Sequence, residues 1–326
     1  MFHEIINVHP NFLPEIWVAT FKDRQRFLNC FKEYIVSPDL IDGNILDLEQ
    51  RCHKLNRKRA KHYGRQYLEP QVIYVDRLMI LKNINKVNDS LMEEHFYSDI
   101  YGSFYTSGMN FTMIFVHNFD NKQISSYKSA VDLFHEMNHA GSFIKNRVDI
   151  YKNDIVITPD RAGAKLYTKK FRGVGEIFNE GYSWVVDSIF AGDEHALRRI
   201  DPFLSDFPLI DQLFPGTKEA YKELKKRLIL EGKIESDTAL SGYYEEDKEY
   251  LIWKSGSNHR AFVLVSSIIH NHPGLVSYLR DFIYGGKIGR SAVKIDNLYG
   301  QGFFRELLTL EEDGIEPLIA RVQKHG

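Results

Sequence analysis

His135-Glu136-Met137-Asn138-His139 sets two imidazoles and a carboxylate at a spacing that a helix makes useful. Helical residues four apart project from one face about a turn apart, so both rings can reach one ion. Glu136, between them, can then reach a water on that ion. A zinc ion held there would lower the pKa of a bound water toward about 7, and a neighbouring carboxylate could take its proton. Projected at about 100° per residue, Ala130, Leu133, Phe134, Met137, Ala140 and Gly141 fall opposite His135 and His139. Asp132 and Glu136 lie at the edge of the polar face. The histidines are therefore not required as core, and the competing reading is an amphipathic helix with two solvent-facing rings.

A catalytic zinc takes three protein ligands and leaves a fourth position for water. The stretch from Gly175 to Asp187, GEIFNEGYSWVVD, reads as a second helix and offers two candidates, Glu176 and Glu180, one turn apart. Asp187 lies two turns beyond Glu180 on the same face. From there it can accept the second ring N–H of His135 or His139 and fix that ring's tautomer.

H-E-x-x-H followed some forty residues later by Asn179-Glu180-Gly181 and an aromatic resembles the gluzincin zinc metallopeptidases, the class of the thermolysin-like and aminopeptidase families. The match covers two short segments. The resemblance implies Glu180 as third ligand beside His135 and His139, one catalytic zinc, and Glu136 as general base that passes the proton on to the leaving amine. It also implies a downstream Tyr or His that steadies the developing oxyanion. Tyr243, Tyr244, His259, His270 and His272 follow in the chain, with Tyr244 and His259 placed first. The stretch FTMIFVHNF ahead of the motif helix is, on the same resemblance, a candidate edge strand for an extended peptide. The chain departs from the thermolysin pattern, in which an Asp follows the ligand Glu by four residues, because Trp184 stands there. The metzincin pattern does not fit, since Ser142 and Lys145 occupy the positions of its Gly and His.

The elements that must hold these residues follow from periodicity and punctuation. Residues 15 to 66 carry apolar positions at helical spacing, broken at Asp42-Gly43, and end in a basic cluster of Lys54, Arg57, Lys58, Arg59, Lys61 and Arg65 that reads as a solvated helix. QVIYVD, FTMIFVHNF and DIVITPD are β-branched or aromatic and suit strands. SSYKSAVDLFHEMNHAGSF reads as a helix opened by Ser125 or Ser126 and closed near Gly141. From about Gly173 the chain is mainly helical.

Composition bounds the rest. With 43% hydrophobic and 13% aromatic residues over 326 positions, a substantial core is available. A formal charge of -2 supplies no field toward nucleic acid or an anionic membrane. Cys30 and Cys52 lack the number and spacing of a disulfide framework or a thiolate zinc site and are expected as reduced thiols. The absence of a signal-like or membrane-spanning stretch predicts a cytoplasmic protein.

The expectation is an α+β fold, predominantly α, with a small mixed sheet and the motif helix in residues 1–172 and a helical lobe carrying the third ligand in 173–326, the two possibly forming one unit. Its function is expected to be zinc-dependent peptide hydrolysis, with peptide or protein as substrate and neither nucleic acid nor membrane as partner. The alternatives are a zinc hydrolase of another amide or ester, an inactive relative that only binds, and a nucleic-acid-associated protein using the 54–65 cluster.

Overall fold

The computed structural model describes residues 21–93, 103–106, 110–117, 122–142, 148–151, 154–157, 176–192, 201–232, 256–308 and 314–325. The front half holds α1 (Phe21–Phe31), α2 (Gly43–His62), α3 (Arg77–Lys82), α4 (Ile84–Glu93) and the motif helix α5 (Lys122–Gly141). Its strands are β1 (Gln71–Asp76), β2 (Phe104–Thr106) and β3 (Phe111–Val116), and a two-stranded hairpin, β4 (Val148–Tyr151) and β5 (Asp154–Ile157), follows α5. The back half is helical: α6 (Glu176–Phe190), α7 (Ile210–Leu213), α8 (Thr217–Leu230), α9 (Gly256–Asn271), α10 (Val276–Ile283), α11 (Ile288–Tyr299), α12 (Phe303–Leu308) and α13 (Ile315–Lys324). The architecture is α+β and predominantly helical. No helix among the described residues is long and apolar enough to cross a membrane.

The sheet order is β1-β3-β2, with β1 parallel and β2 antiparallel to β3. FTMIFV is thus the central strand of its sheet, which corrects the expectation of an edge over Phe111–Met113, where Gln71–Ile73 pair on one side and Phe104–Thr106 on the other; over Ile114–Val116 the pairing among the described residues is with β1 alone. Alternation along the strands sorts their side chains into two cores. Ile73, Val75, Phe111, Met113 and Phe115 pack with Phe27, Phe31, Ile80 and Val87 of α1, α3 and α4. Tyr74 and Ile114 turn the other way, into the main core with α5. That core takes in residues from Ile41 to Val322, so side chains of both halves pack as one cluster.

The motif helix begins at Lys122, three residues before the expected cap. Ser125 and Ser126 lie inside its first turns, and the Ser126 hydroxyl reaches the carboxylate of Asp42, the N-cap of α2, at 3.4 Å. Leu133, Phe134 and Met137 enter the main core as projected, with Phe134 stacked on Phe190 of α6 at 4.3 Å between ring centroids. The opposite face is largely buried too: Glu136, Asn138 and His139 are buried and His135 is partly so. The His-bearing face is therefore covered by another helix, and the solvent-facing reading does not hold.

Two glycines allow the helices to approach. A Cβ on Gly181 would sit 2.3 Å from the carbonyl oxygen of Ala261, so α6 can lie against α9 only with glycine there. A Cβ on Gly141 would sit 2.2 Å from the Asn56 side chain of α2.

The basic cluster is a correction in part. Arg57 pairs with Glu69, Lys58 with Asp206, and Arg65 donates to the carbonyl of Gly285. Arg59 is buried, 1% exposed, against Asp201. Cys30 and Cys52 form no disulfide.

Candidate metal centre

The main core presses α5 against α6, and the polar faces of the two helices meet. His135 and His139 present their Nε2 atoms to each other at 3.0 Å. The Glu180 carboxylate of α6 spans both rings, with Oε2 3.2 Å from His135 Nε2 and Oε1 3.0 Å from His139 Nε2. Donor atoms held by zinc at 2.0–2.2 Å in a tetrahedron stand roughly 3.3 Å apart; the two ring nitrogens, and each ring nitrogen and its own carboxylate oxygen, stand close to that, and one ligand atom from each of the three residues lies within 4.8 Å of the others. Imidazole, imidazole and carboxylate is a zinc-binding donor set. The side chains of His135 and Glu180 are 13% and 18% exposed while His139 is 1%, so the group is reached from the His135–Glu180 side.

The far sides of both rings are held. His135 Nδ1 lies 2.6 Å from Asp187 Oδ2, so Nδ1–H donates to a buried carboxylate and the Nε2 lone pair is left for a metal. His139 Nδ1 has the Asn179 amide nitrogen at 2.9 Å and the Ser183 hydroxyl at 3.3 Å. For His139 to ligate through Nε2 its Nδ1 must carry the proton and meet acceptors. Ser183 Oγ can accept. Asn179 Oδ1, buried here without a partner, becomes an acceptor when the amide makes a half-turn about its Cβ–Cγ bond.

Electrostatics favour a cation. Burial opposes a charged His135, yet Asp187, Glu180 and Glu136 together raise its pKa well above the ordinary imidazole range. Burial also raises the Asp187 carboxyl, with Glu180 and Asp132 adding to it and His135 opposing. Burial drives the Asp187 shift, whereas the carboxylates drive that of His135 against burial, and several carboxylates stand around the two imidazoles. A divalent ion would supply positive charge among them.

The structure thus brings together His135, His139 and Glu180, with Asp187 against the first ring and Glu136 close enough to act electrostatically on it. The Glu176 side chain, Tyr243 and Tyr244 lie outside the described residues. So does the His259 side chain, whose backbone belongs to α9. His270 and His272, at the end of the same helix, are not among the groups that meet the metal cluster. Sequence reasoning gave Asn179 and Ser183 no role of their own. Their signal was present: Asn179, Glu180, Ser183 and Asp187 form a polar stripe at helical spacing on an otherwise apolar helix. A cavity of about 420 Å³ lies elsewhere, where Tyr127 of α5 meets Tyr221 and four lysines of α8, and none of the metal group lines it.

No family model matches the chain, and no curated protein and no solved structure shows significant similarity to it.

Proposed function

We propose that the protein is a single-zinc metallohydrolase of gluzincin type that cleaves peptide bonds. The observation that carries this reading is the convergence of His135, His139 and Glu180 from two helices, with Asp187 against the Nδ1 of His135 and Asn179 and Ser183 against that of His139. A bound zinc would lower the pKa of a water toward about 7 and polarise a carbonyl. With the ion bound, Glu136 would be the base that takes a proton from that water and returns it to the leaving amine. Asp187 keeps His135 oriented, and Asn179 and Ser183 do the same for His139. Tyr244 and His259 remain the candidates for the oxyanion donor. The choice of peptide as substrate rests on the H-E-x-x-H and Asn-Glu-Gly segments.

The test is paired. Protein refolded or dialysed with zinc should hold about one equivalent, and Glu136→Gln should keep the zinc while losing hydrolysis of a peptide library by about 10²- to 10⁴-fold. His139→Ala should lose the ion itself. No bound zinc in the wild type sinks the metal reading. One equivalent of zinc with no peptide cleaved moves the assignment to a non-peptide amide or ester, or to binding alone.

A further inference from the structure

We propose that Asn138, the fourth residue of the His135–His139 motif, is a positioning residue for the zinc ligand His139 and acts on it through Ser183. Asn138 is 3% exposed on a helix whose buried neighbours are mostly apolar, and an amide there costs free energy unless every polar atom is matched. All are matched. Oδ1 accepts from the Tyr284 hydroxyl at 2.7 Å and from Arg59 Nη1 at 2.9 Å, and Nδ2 donates to Ser183 Oγ at 3.0 Å.

The chemistry fixes which way the amide faces. A guanidinium only donates, so the atom toward Arg59 must be the oxygen, and the nitrogen must point at Ser183. Ser183 Oγ therefore spends one lone pair on Asn138. Its second lone pair is 3.3 Å from His139 Nδ1, where it can receive the ring proton that must sit there if Nε2 is to bind metal.

The other end of the relay is anchored far from the site. Arg59 Nη2 meets Asp201 Oδ2 at 2.6 Å with both side chains buried, and the guanidinium lies 4.2 Å over the Tyr284 ring. Arg59 Nη1 also reaches Asn56 Oδ1 at 3.1 Å, while Asn56 Nδ2 donates to the carbonyl of Met137 at 2.7 Å. Helix α2 thus grips the motif helix at two consecutive residues, 137 by its backbone and 138 by its side chain. A buried ion pair adds little net stability compared with apolar packing, whereas it holds a partner in one geometry. The order Asp201–Arg59–Asn138–Ser183–His139 gives that geometry a use.

The inference rests on the zinc reading, and the experiment separates the two. Zinc affinity is measured by competition with a chromophoric chelator, alongside the urea stability of the metal-free protein, for wild type, Asn138→Leu, Ser183→Ala and the double variant. Each single change is expected to weaken zinc binding about 10-fold, the scale of losses in groups that hold metal ligands. The double variant should be no weaker than the worse single one, because both cut one relay. Wild type without zinc defeats the metal reading itself. Zinc bound by the wild type with affinity unchanged in Asn138→Leu, or losses that multiply in the double variant, overturns the positioning role alone. Should Asn138→Leu not fold, Tyr284→Phe replaces it: the ring over Arg59 stays and only the hydroxyl on Asn138 goes. It should then weaken zinc about threefold in the wild-type background and not in Ser183→Ala, and equal losses in both overturn the relay.

Discussion

Replacing Asp187 tests whether His135 ligates through Nε2. The Nδ1–Oδ2 contact of 2.6 Å is short for a nitrogen donor, joins a ring to a carboxylate, and is part-buried. It does two things at once. It holds the ring with Nε2 toward Glu180 and His139, and it would add negative charge beside a bound ion. Asp187→Asn can still present an oxygen to Nδ1–H but gives up the charge, whereas Asp187→Ala gives up both. Losses of 10- to 100-fold in metal affinity are typical when such a partner is removed, so about 10-fold is expected for Asn and about 100-fold for Ala. These correspond to roughly 1.4 and 2.7 kcal/mol. The assay is zinc competition at fixed pH, with circular dichroism to establish that each variant is folded. The reasoning is refuted if Asp187→Ala binds zinc as tightly as wild type while His139→Ala does not, or if Asn is the weaker of the two.

Gly181→Ala separates a packing glycine from an incidental one. At an exposed helix position alanine would stabilise by about 1 kcal/mol. Here its Cβ meets backbone of α9 at 2.3 Å and Val265 Cγ2 at 2.8 Å, so we expect a net loss of about 2 kcal/mol or more in urea denaturation, and a gain would contradict the fit of α6 on α9. His117 predicts an acid-sensitive fold. Burial, then the nearby Arg77 charge, pushes it down to about 3 against the pull of Asp132, so the folded chain refuses a proton that the unfolded chain accepts below its ordinary 6.5. Its contribution is fully present above 6.5 and falls as pH drops toward 3, by about 2 kcal/mol between pH 7 and pH 5. Taking the difference in urea stability between wild type and His117→Asn at the two pH values cancels the other titrating groups. A difference that does not change with pH removes His117 as the cause.

What the sequence disclosed and what it hid divide by range. His135, Glu136 and His139, and likewise Glu180 and Asp187, are related by whole turns of one helix, and that relation is local, so it can be read from spacing alone. The place of FTMIFV in its sheet is not local. It depends on β2, three residues that carry too little pattern to announce a strand, and the expectation of an edge rests on the family resemblance alone. Arg59 likewise reads as one more charge in a solvated cluster. Its partners are Asn138 and Asp201, 79 and 142 residues away, and nothing within a helical turn predicts them.

The same long-range contacts bury the polar face of the motif helix. A face bearing Asn138 and His139 looks like a surface face because isolated polar groups are expensive to bury. It is buried here because Tyr284, 146 residues downstream of Asn138, and Ser183, 45 residues downstream, arrive with the complementary donor and acceptor. Burial has a functional consequence. In water the two imidazoles would each find their own hydrogen bonds and take either tautomer. Enclosed between α5 and α6, His135 has its Nδ1 against Asp187 and His139 has its Nδ1 against Asn179 and Ser183, and both Nε2 atoms stand beside the Glu180 carboxylate. The five-residue motif supplies the ligand types. The direction of their lone pairs comes from the residues packed behind them, which is why substitutions at Asp187, Ser183 and Asn138 are expected to change metal affinity without touching a ligand.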